Sequence, residues 1–372
     1  MHGTHHDLHS EQGARRGEHP GRSRNPVIKV ADIAWLEFEK PDLTRAETFA
    51  RAFGFAVAAR SADELQLRGN GTGAPCAIIR RGPASRFLGT AFAAQDEADL
   101  IRLADAAGVR PQPLAESIGG LRVQLADPSG LPVSVVAGTH RLEALPRQTP
   151  HTFNFDTAQR INTPQRTVTA PAQVERLGHI VLQSTRYLNT LNWYLDTLGM
   201  IVSDFLYFSG QRDRGPVMSF VRCDRGTLPA DHHTLAIALG PDDRYIHSAY
   251  QVCDLDTLAA GGQYLADRGY LRSWGIGRHI QGSQLFDYWR DPDGFLVEHF
   301  TDGDLFDADV EPGWAPFTAS GLSQWGPPVT GDFLGTDLKS LPGEARLLLR
   351  ALRSDNEFDI HRMRGLMKAA RS

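Results

Sequence analysis

The chain has 372 residues, and because a typical domain has roughly 150, two domains are expected. Hydrophobic residues make up 41% and charged residues 22% of the chain, which suits a globular protein and excludes collagen-like, coiled-coil and wholly disordered classes. The net charge of −5 gives no basic surface for nucleic acid or an anionic membrane. No apolar run reaches the roughly 18 residues of a membrane-spanning helix. We therefore expect a cytoplasmic protein.

The first 26 residues form a polar segment that is rich in histidine and arginine. Such a segment has almost no apolar side chains with which to build a core. The composition predicts a disordered N-terminal leader over residues 1–26. A metal-sequestering tail is the alternative, because histidine-rich tracts bind metal ions.

The rest of the chain contains an internal duplication. A short apolar strand, a helix, further strands, a second strand–helix unit and a closing hairpin occur twice in the same order. The matched segments are 30–54 with 177–199, 88–108 with 246–269, and 121–136 with 285–300. Both hairpins turn on Asp-Pro-x-Gly, in which proline fixes φ and glycine accepts a left-handed conformation. The duplication predicts an α+β protein with two tandem domains of one design.

The matches also divide the chain into regions. The N-terminal domain spans residues 27–140 and the second domain spans 174–303. Residues 141–173 are rich in Pro, Thr, Gln and Arg and are interpreted as a linker. Residues 304–372 form a C-terminal extension, in which a Pro/Gly/Trp-rich part, 311–335, is a candidate lid and is followed by a helix.

Three potential metal ligands lie on three strands of the second domain, namely His179, His247 and Glu298. Any single buried histidine is more often a packed core residue than a ligand. A carboxylate inside an apolar strand, however, needs a cation or hydrogen-bond donors. Two imidazoles and one carboxylate suit non-haem Fe(II), on which they leave three adjacent positions open. A zinc hydrolase uses similar donors.

The first domain does not repeat this pattern. Where the second domain has His179, His247 and Glu298, the first has Asp32, Gly89 and Ser134. Glycine offers no side-chain ligand, a neutral serine hydroxyl is a poor one, and one carboxylate does not make a site. We expect the metal chemistry to belong to the second domain alone.

The segments LGHIVL, HHTLAIAL, YIHSAYQV and RHIQGSQLFDYWRDPDGFLVEHF lie in the second domain. They resemble the catalytic domain of type I extradiol ring-cleavage dioxygenases, in the vicinal oxygen chelate superfamily. The last segment is the most specific, because His279, Tyr288 and Glu298 follow the family spacing without a gap. The resemblance implies tandem vicinal-oxygen-chelate domains built from paired βαβββ modules. The motifs that carry the resemblance lie only in the second domain. The resemblance does not extend to the C-terminal extension.

The resemblance implies that His179, His247 and Glu298 hold Fe(II). Mn(II) serves in some members of the family, and the same donors accept it. The implied reaction is extradiol cleavage of a catechol-type diol with dioxygen, in aromatic compound catabolism, by an assembly of identical subunits. Two alternatives stay open. One is another metal-dependent enzyme of the superfamily, of isomerase or epoxide-opening type, and the other is a non-catalytic small-molecule binding module of the same fold.

The resemblance also implies three catalytic residues beside the metal. His233 would stabilise and protonate the reduced oxygen, while His279 and Tyr288 would hydrogen-bond the substrate oxygens. The neighbour of the first, His232, is interpreted as a bystander. His299 points away from Glu298 by strand alternation and is expected to pack rather than to bind metal.

Overall fold

The N-terminal segment is ordered where the structure describes it. The structure is a computed structural model that describes residues 9–335 and 341–371. A short strand, β1 (Glu11–Gln12), pairs antiparallel with Gly313 and Trp314 in the sheet of the second domain. The predicted disordered leader is therefore wrong for residues 9–26, and residues 1–8 lie outside the described residues.

Polar contacts rather than an apolar core attach this segment to the protein. The Arg212 guanidinium pairs with the carboxylates of Glu11 and Glu18, both at 2.7 Å. The His19 ring forms a 2.8 Å hydrogen bond with the Asn192 side chain. Composition alone failed here because it measures the capacity to bury apolar surface, whereas this segment is held through charges supplied by the folded domain.

The N-terminal domain consists of two βαβββ modules in sequence. The first module comprises β2 (Val30–Lys40), α1 (Leu43–Phe53), β3 (Ala56–Arg60), β4 (Glu64–Arg68) and β5 (Ala77–Arg81). The second comprises β6 (Arg86–Ala94), α2 (Glu97–Ala107), β7 (Gln112–Pro113), β8 (Leu121–Ala126) and β9 (Pro132–Ala137). The N-caps Asp42 and Asp96 accept backbone hydrogen bonds at the starts of α1 and α2.

The second domain repeats the design. Its first module comprises β10 (Arg176–Ser184), α3 (Tyr187–Leu198), β11 (Met200–Phe208), β12 (Met218–Cys223), the short β13 (Ala230–Asp231) and β14 (Leu235–Leu239). Its second module comprises β15 (Arg244–Gln251), α4 (Leu255–Asp267), β16 (Leu271–Arg278), β17 (Leu285–Arg290) and β18 (Leu296–Thr301). Asp254 caps α4, and Gly199 ends α3 in a left-handed conformation.

In the described part of the chain, the strands form an eight-stranded sheet, a ten-stranded sheet and a two-stranded sheet. The orders of the large sheets are β3-β4-β5-β2-β6-β9-β8-β7 and β1-β20-β11-β12-β14-β10-β15-β18-β17-β16, where β20 is Gly313–Phe317. In both, the first strands of the two modules pair antiparallel at the centre, and each also pairs in parallel with the last strand of its own module. The predicted α+β fold of tandem paired βαβββ domains is confirmed.

The two predicted hairpin turns are present. Asp127 accepts hydrogen bonds from the backbone N–H groups of Ser129 and Leu131, and Asp291 plays the same part in the second hairpin. Gly130 has φ of +87°, a conformation that strains a residue with a Cβ atom. The matched turns explain why the two hairpins were recognisable in the sequence.

The strand register corrects one residue of the domain comparison. His179 pairs with Ala249 immediately after a β-bulge in β10. In the first domain the residue that follows the corresponding bulge and pairs with Ala91 is Trp35, not Asp32. The alignment of the two strands by sequence was displaced by three residues, because both strands begin with apolar residues and the two bulges cannot be recognised in the sequence.

The other two matches agree with the register. Gly89 occupies the place of His247, and Ser134 that of Glu298. Trp35 is fully buried in a small apolar cluster of the first domain. The counterpart of the metal site is therefore filled by an indole ring.

The C-terminal extension continues the second domain. The short β19 (Leu305–Phe306) pairs with β13, and β20 joins the edge of the large sheet beside β11. The helices α5 (Gly331–Leu334), α6 (Leu341–Ala351) and α7 (Ile360–Ala369) follow. At Gly365 of α7, a Cβ atom would lie 2.5 Å from the Phe208 ring, so the glycine permits close packing on β11. None of the described helices is long and apolar enough to cross a membrane.

The two domains meet through a buried ion pair and a ring stack. The Lys40 ammonium of β2 is 5% exposed and contacts the carboxylates of Asp291 and Asp293 in the second hairpin turn. The His299 ring stacks on Phe53 with centroids 3.7 Å apart, and its Nε2 donates to the Phe53 carbonyl at 2.7 Å. His299 therefore packs against the first domain, as its strand position predicted.

We expect Lys40→Met to destabilise the protein by about 3–5 kcal/mol, because the change leaves the buried Asp291 carboxylate without its cation, whereas Asp293 keeps Arg45. Urea unfolding measures this loss. Lys29→Met is the matched control, since the Lys29 side chain is half exposed and its pair with Asp224 contributes about 1 kcal/mol or less. Equal losses in the two variants would contradict the assigned role of Lys40.

Candidate metal centre and substrate pocket

Three adjacent strands at the centre of the large sheet carry the predicted metal ligands. His179 on β10 pairs with Ala249 on β15, and Ala249 pairs with Glu298 on β18. His247 precedes Ala249 by two residues and therefore lies on the same face of the sheet. Strand alternation and register thus bring the three side chains to one place.

The three ligand atoms lie within 4.8 Å of one another, and this is the one such cluster among the described residues. The Nε2 atoms of His179 and His247 lie 3.4 and 3.3 Å from Glu298 Oε2. An ion that binds nitrogen and oxygen donors at about 2.1 Å, at right angles, places neighbouring donors roughly 3 Å apart. The spacing suits a divalent cation.

The donor atoms also lack any other partner. Both Glu298 carboxylate oxygens and both His247 ring nitrogens are buried without a hydrogen bond to another described residue. Glu298 is completely buried. A buried carboxylate of this kind is stable only beside a cation. The residues present therefore fit a metal ion.

The protonation states suit coordination. Burial alone would raise the pKa of Glu298, but its interactions with His179 and His247 outweigh burial and hold the pKa well below its usual range. Burial lowers the pKa of His247, although the Glu298 charge opposes the shift. A carboxylate and a neutral imidazole are the forms that bind metal ions.

Two of the predicted catalytic residues form a hydrogen-bonded pair at one side of the centre. The hydroxyl of Tyr288 lies 2.9 Å from Nε2 of His279, and Nδ1 of His279 lies 2.7 Å from the Leu322 carbonyl oxygen. Because a carbonyl only accepts, His279 Nδ1 carries the proton and Nε2 accepts from the tyrosine. Burial, together with the nearby Glu298 charge, raises the pKa of Tyr288 far above its usual range, so the phenol stays protonated.

The third predicted residue, His233, lies on the opposite side. Its ring centroid is 4.0 Å from that of His179 and 5.0 Å from that of Phe220. Burial, reinforced by the neighbouring histidines, lowers the pKa of His233 well below its usual value. His232 turns away from the pocket, and its Nδ1 lies 3.1 Å from Nδ1 of His233.

All six predicted site residues therefore surround one pocket. Five of them line it, and Glu298 lies beneath. The space between its walls, including the open mouth, is about 460 Å³. Its remaining lining is apolar or neutral: Val181, Met218, Phe220, Gln281, Gln284, Leu322 and Phe333.

Sequence reasoning missed the contribution of individual residues in the C-terminal segment. Leu322 supplies both an apolar wall and the carbonyl that orients His279, and the Phe333 ring lies 4.9 Å from that of Tyr288. Two residues of the segment 311–335 thus line the pocket, and its role as a lid stays a prediction. A backbone carbonyl has no sequence signature, so only the Pro/Gly/Trp-rich composition pointed to this segment.

Residues 176–299 match the model of the Glyoxalase/Bleomycin resistance protein/Dioxygenase superfamily. This part of the chain is therefore similar to that superfamily. A relative, Metapyrocatechase 2 of Cupriavidus necator, is 29% identical over 340 residues, which cover 87% of this chain and 97% of the relative. The resemblance to extradiol dioxygenases is thereby confirmed.

Solved structures of other proteins share the fold. The Mn(II)-bound glyoxalase of Novosphingobium aromaticivorans has a TM-score of 0.66 and 25% identity, over 82% of this chain and 93% of its own. The native homoprotocatechuate 2,3-dioxygenase of Arthrobacter globiformis has a TM-score of 0.66 and 20% identity, over 84% of this chain and 92% of its own. The second likeness supports the tandem-domain architecture.

We expect Glu298→Gln to weaken metal binding by more than about 100-fold. The change removes the only carboxylate of the cluster, and the neutral amide oxygen is a much weaker ligand than a charged carboxylate oxygen. Metal content after anaerobic loading with Fe(II) and desalting measures this loss. Ser134→Glu is the matched control, and it should leave the stoichiometry at one ion per chain because Trp35 and Gly89 offer no further ligands. Full retention of metal by Glu298→Gln would refute the ligand assignment.

Proposed function

We propose that this extradiol dioxygenase cleaves an uncharged catechol beside its vicinal hydroxyls, at an Fe(II) ion held by His179, His247 and Glu298. The cluster of two buried imidazoles and one otherwise unpartnered carboxylate, at the bottom of a pocket without charged walls, supports this most directly. Bound Fe(II) would supply one thing that side chains cannot, the activation of dioxygen next to a chelated diol. The choice of iron over manganese, and assembly into identical subunits, stay predictions.

His279 and Tyr288 orient the diol. Because the Tyr288 hydroxyl donates a hydrogen bond to His279, its phenol oxygen is available to accept a hydrogen bond from a substrate hydroxyl. The chain Leu322 carbonyl–His279–Tyr288 fixes the position of that oxygen, so that one diol hydroxyl has a single favourable direction. Tyr288 is in register with Glu298 on the neighbouring strand, which sets its oxygen close to the metal ligands.

His233 handles the proton on the other side of the pocket. A catechol that binds through both oxygens loses at least one proton, and a neutral imidazole can accept it. The lowered pKa of His233 keeps that imidazole neutral before substrate binds. We assign to the same nitrogen the later return of the proton to reduced oxygen, which needs a donor on the side away from Tyr288.

The lining of the pocket favours an uncharged substrate. No lysine, arginine, aspartate or glutamate belongs to its walls in the described residues, and beside the histidines and Tyr288 the lining consists of aliphatic and aromatic side chains and two glutamines. A carboxylate on the ring would be buried there without a cation, which is costly. A catechol that carries an alkyl or aryl substituent fits better.

Another reaction type is less favoured by the geometry. The likeness to a Mn(II)-bound glyoxalase keeps a metal-dependent isomerisation as the second candidate. That chemistry has no evident use for a buried His279–Tyr288 pair opposite a second buried imidazole. Consumption of dioxygen separates the two reactions.

The panel that tests this proposal is catechol, 3-methylcatechol, 4-methylcatechol and 3,4-dihydroxyphenylacetate, added with air to protein loaded anaerobically with Fe(II). We expect a yellow ring-cleavage product and one dioxygen consumed per product for the uncharged catechols. For the acid we expect kcat/KM to be lower by about 100-fold or more, because its carboxylate has no partner in the pocket. If the metal-loaded protein consumes no dioxygen with any of these catechols, the proposal is refuted.

Removal of a single hydroxyl tests the diol-orienting pair. We expect Tyr288→Phe to lower kcat by about 100-fold while the metal content stays unchanged, since the hydroxyl bonds His279 and lines the pocket but is not one of the clustered ligand groups. Steady-state oxygen uptake gives kcat, and Tyr245→Phe, whose hydroxyl serves Ser248 and the Leu296 carbonyl, is the control. An unchanged kcat in Tyr288→Phe would show that the hydroxyl has no part in catalysis.

A further inference from the structure

A chain of hydrogen bonds leads from the pocket to the N-terminal segment. Behind His233, the Nδ1 of His232 lies 3.1 Å from the Nδ1 of His233. The other ring nitrogen of His232, Nε2, lies 2.8 Å from Oδ2 of Asp204 on β11. The hydroxyl of Ser10 donates to Oδ1 of Asp204 at 2.6 Å. His232, first interpreted as a bystander, is the central link.

The direction of each hydrogen bond follows from the chemistry of the groups. A carboxylate can only accept, so Nε2 of His232 carries a proton and donates it to Asp204. In a neutral His232 the proton on Nε2 leaves an electron pair on Nδ1, and His233 Nδ1 must then be the donor between the two rings. His233 in turn has its electron pair on Nε2, the nitrogen that remains for the pocket.

The surroundings hold this chain in one geometry. Asp204 follows a β-bulge in β11, which changes the direction of its side chain relative to a regular strand. It is opposite Gly313, where a Cβ atom would lie only 2.0 Å from the Asp204 carboxylate. A glycine is required there for the carboxylate to fit.

The backbone of His232 is fixed as well. Its N–H donates to the Asp304 carbonyl at 2.9 Å, and its carbonyl accepts from the Ser203 hydroxyl at 2.5 Å. Its side chain is 1% exposed, so no water competes for the two ring nitrogens from bulk solvent. Both ends of the inter-ring hydrogen bond therefore belong to buried, constrained side chains.

We propose that Asp204 and His232 are positioning residues that hold His233 in the tautomer with its proton on Nδ1 and its electron pair on Nε2, directed to the substrate. This inference rests on the proposed function for the use of that electron pair, which is to take a proton from the diol. The tautomer itself depends only on the hydrogen-bond chain. With the opposite tautomer, His233 would present an N–H group to the diol and could not act as its base.

Asp204→Asn is the informative substitution, because Ser10 keeps its hydrogen bond to the amide oxygen and the amide nitrogen then faces His232. That nitrogen donates to Nε2 of His232 and moves the His232 proton to Nδ1, which reverses both the bond between residues 204 and 232 and the bond between the two imidazoles. We expect His233 to change to the tautomer with its proton on Nε2. Asp204→Ala removes the constraint and should give a mixture of both tautomers.

The imidazole ¹⁵N resonances of the full-length protein report the tautomers directly. The protein is prepared with Zn(II), which accepts the same donors and is not paramagnetic, and His232→Gln and His233→Gln assign the signals. We expect protonated Nδ1 on His233 in the wild type and in the control Asp231→Asn. In the wild type the Asp231 carboxylate pairs with Arg176 and takes no part in the chain of hydrogen bonds. Protonated Nε2 on wild-type His233, or an unchanged His233 in both Asp204 variants, would overturn the proposal.

Kinetics provide a second readout for the Fe(II) protein. Asp204→Asn should lower kcat for 3-methylcatechol by about 10- to 100-fold and change KM by less than about threefold, since no group that touches the substrate has been removed. Asp231→Asn should match the wild type. A parallel rise in KM with unchanged kcat would contradict a role through His233. If no variant, including the wild type, cleaves a catechol, the proposed function fails while the ¹⁵N experiment still decides the tautomer.

Discussion

A carboxylate buried without a hydrogen-bonding partner determines how the second domain is arranged. Removing such a charge from water costs several kcal/mol unless a cation compensates it. Glu298 has no exposed surface, and the imidazoles of His179 and His247 lie 3.4 and 3.3 Å from one of its oxygens without the geometry of a hydrogen bond. A metal ion held by Glu298 and the two imidazoles would supply this compensation, and its binding would then contribute to the folding free energy of the domain.

The duplicated fold explains how the ligands come together. Each module places its first strand at the centre of the sheet, and parallel pairing brings the last strand of the same module beside it. Residues far apart in the chain therefore reach adjacent strands. The first domain keeps this framework but has Trp35 where the second has His179, and it serves as a packing partner through Lys40 and Phe53.

Much of the fold and of the candidate site could be predicted because the signals are local. Strand alternation separated Glu298 from His299, and the repeated Asp-Pro-x-Gly turns marked both hairpins. The spacing of His279, Tyr288 and Glu298 carried the resemblance. The residue-level errors arose where structure depends on distant partners. Two β-bulges displaced the match of Asp32, and charges on the folded domain order residues 9–26. His232 became interpretable only once Asp204, 28 positions earlier, was seen beside it.

The pocket and its roof have different origins along the chain. His179, His247 and Glu298 all precede residue 300, whereas Leu322 and Phe333, which cover the pocket, follow it. Ribosomal synthesis runs from the N-terminus, so a growing chain can assemble the metal ligands before the cover exists. During that interval the site is open to solvent, and the carbonyl that orients His279 is absent. Capture of the proposed metal ion would therefore precede catalytic competence in the life of each molecule.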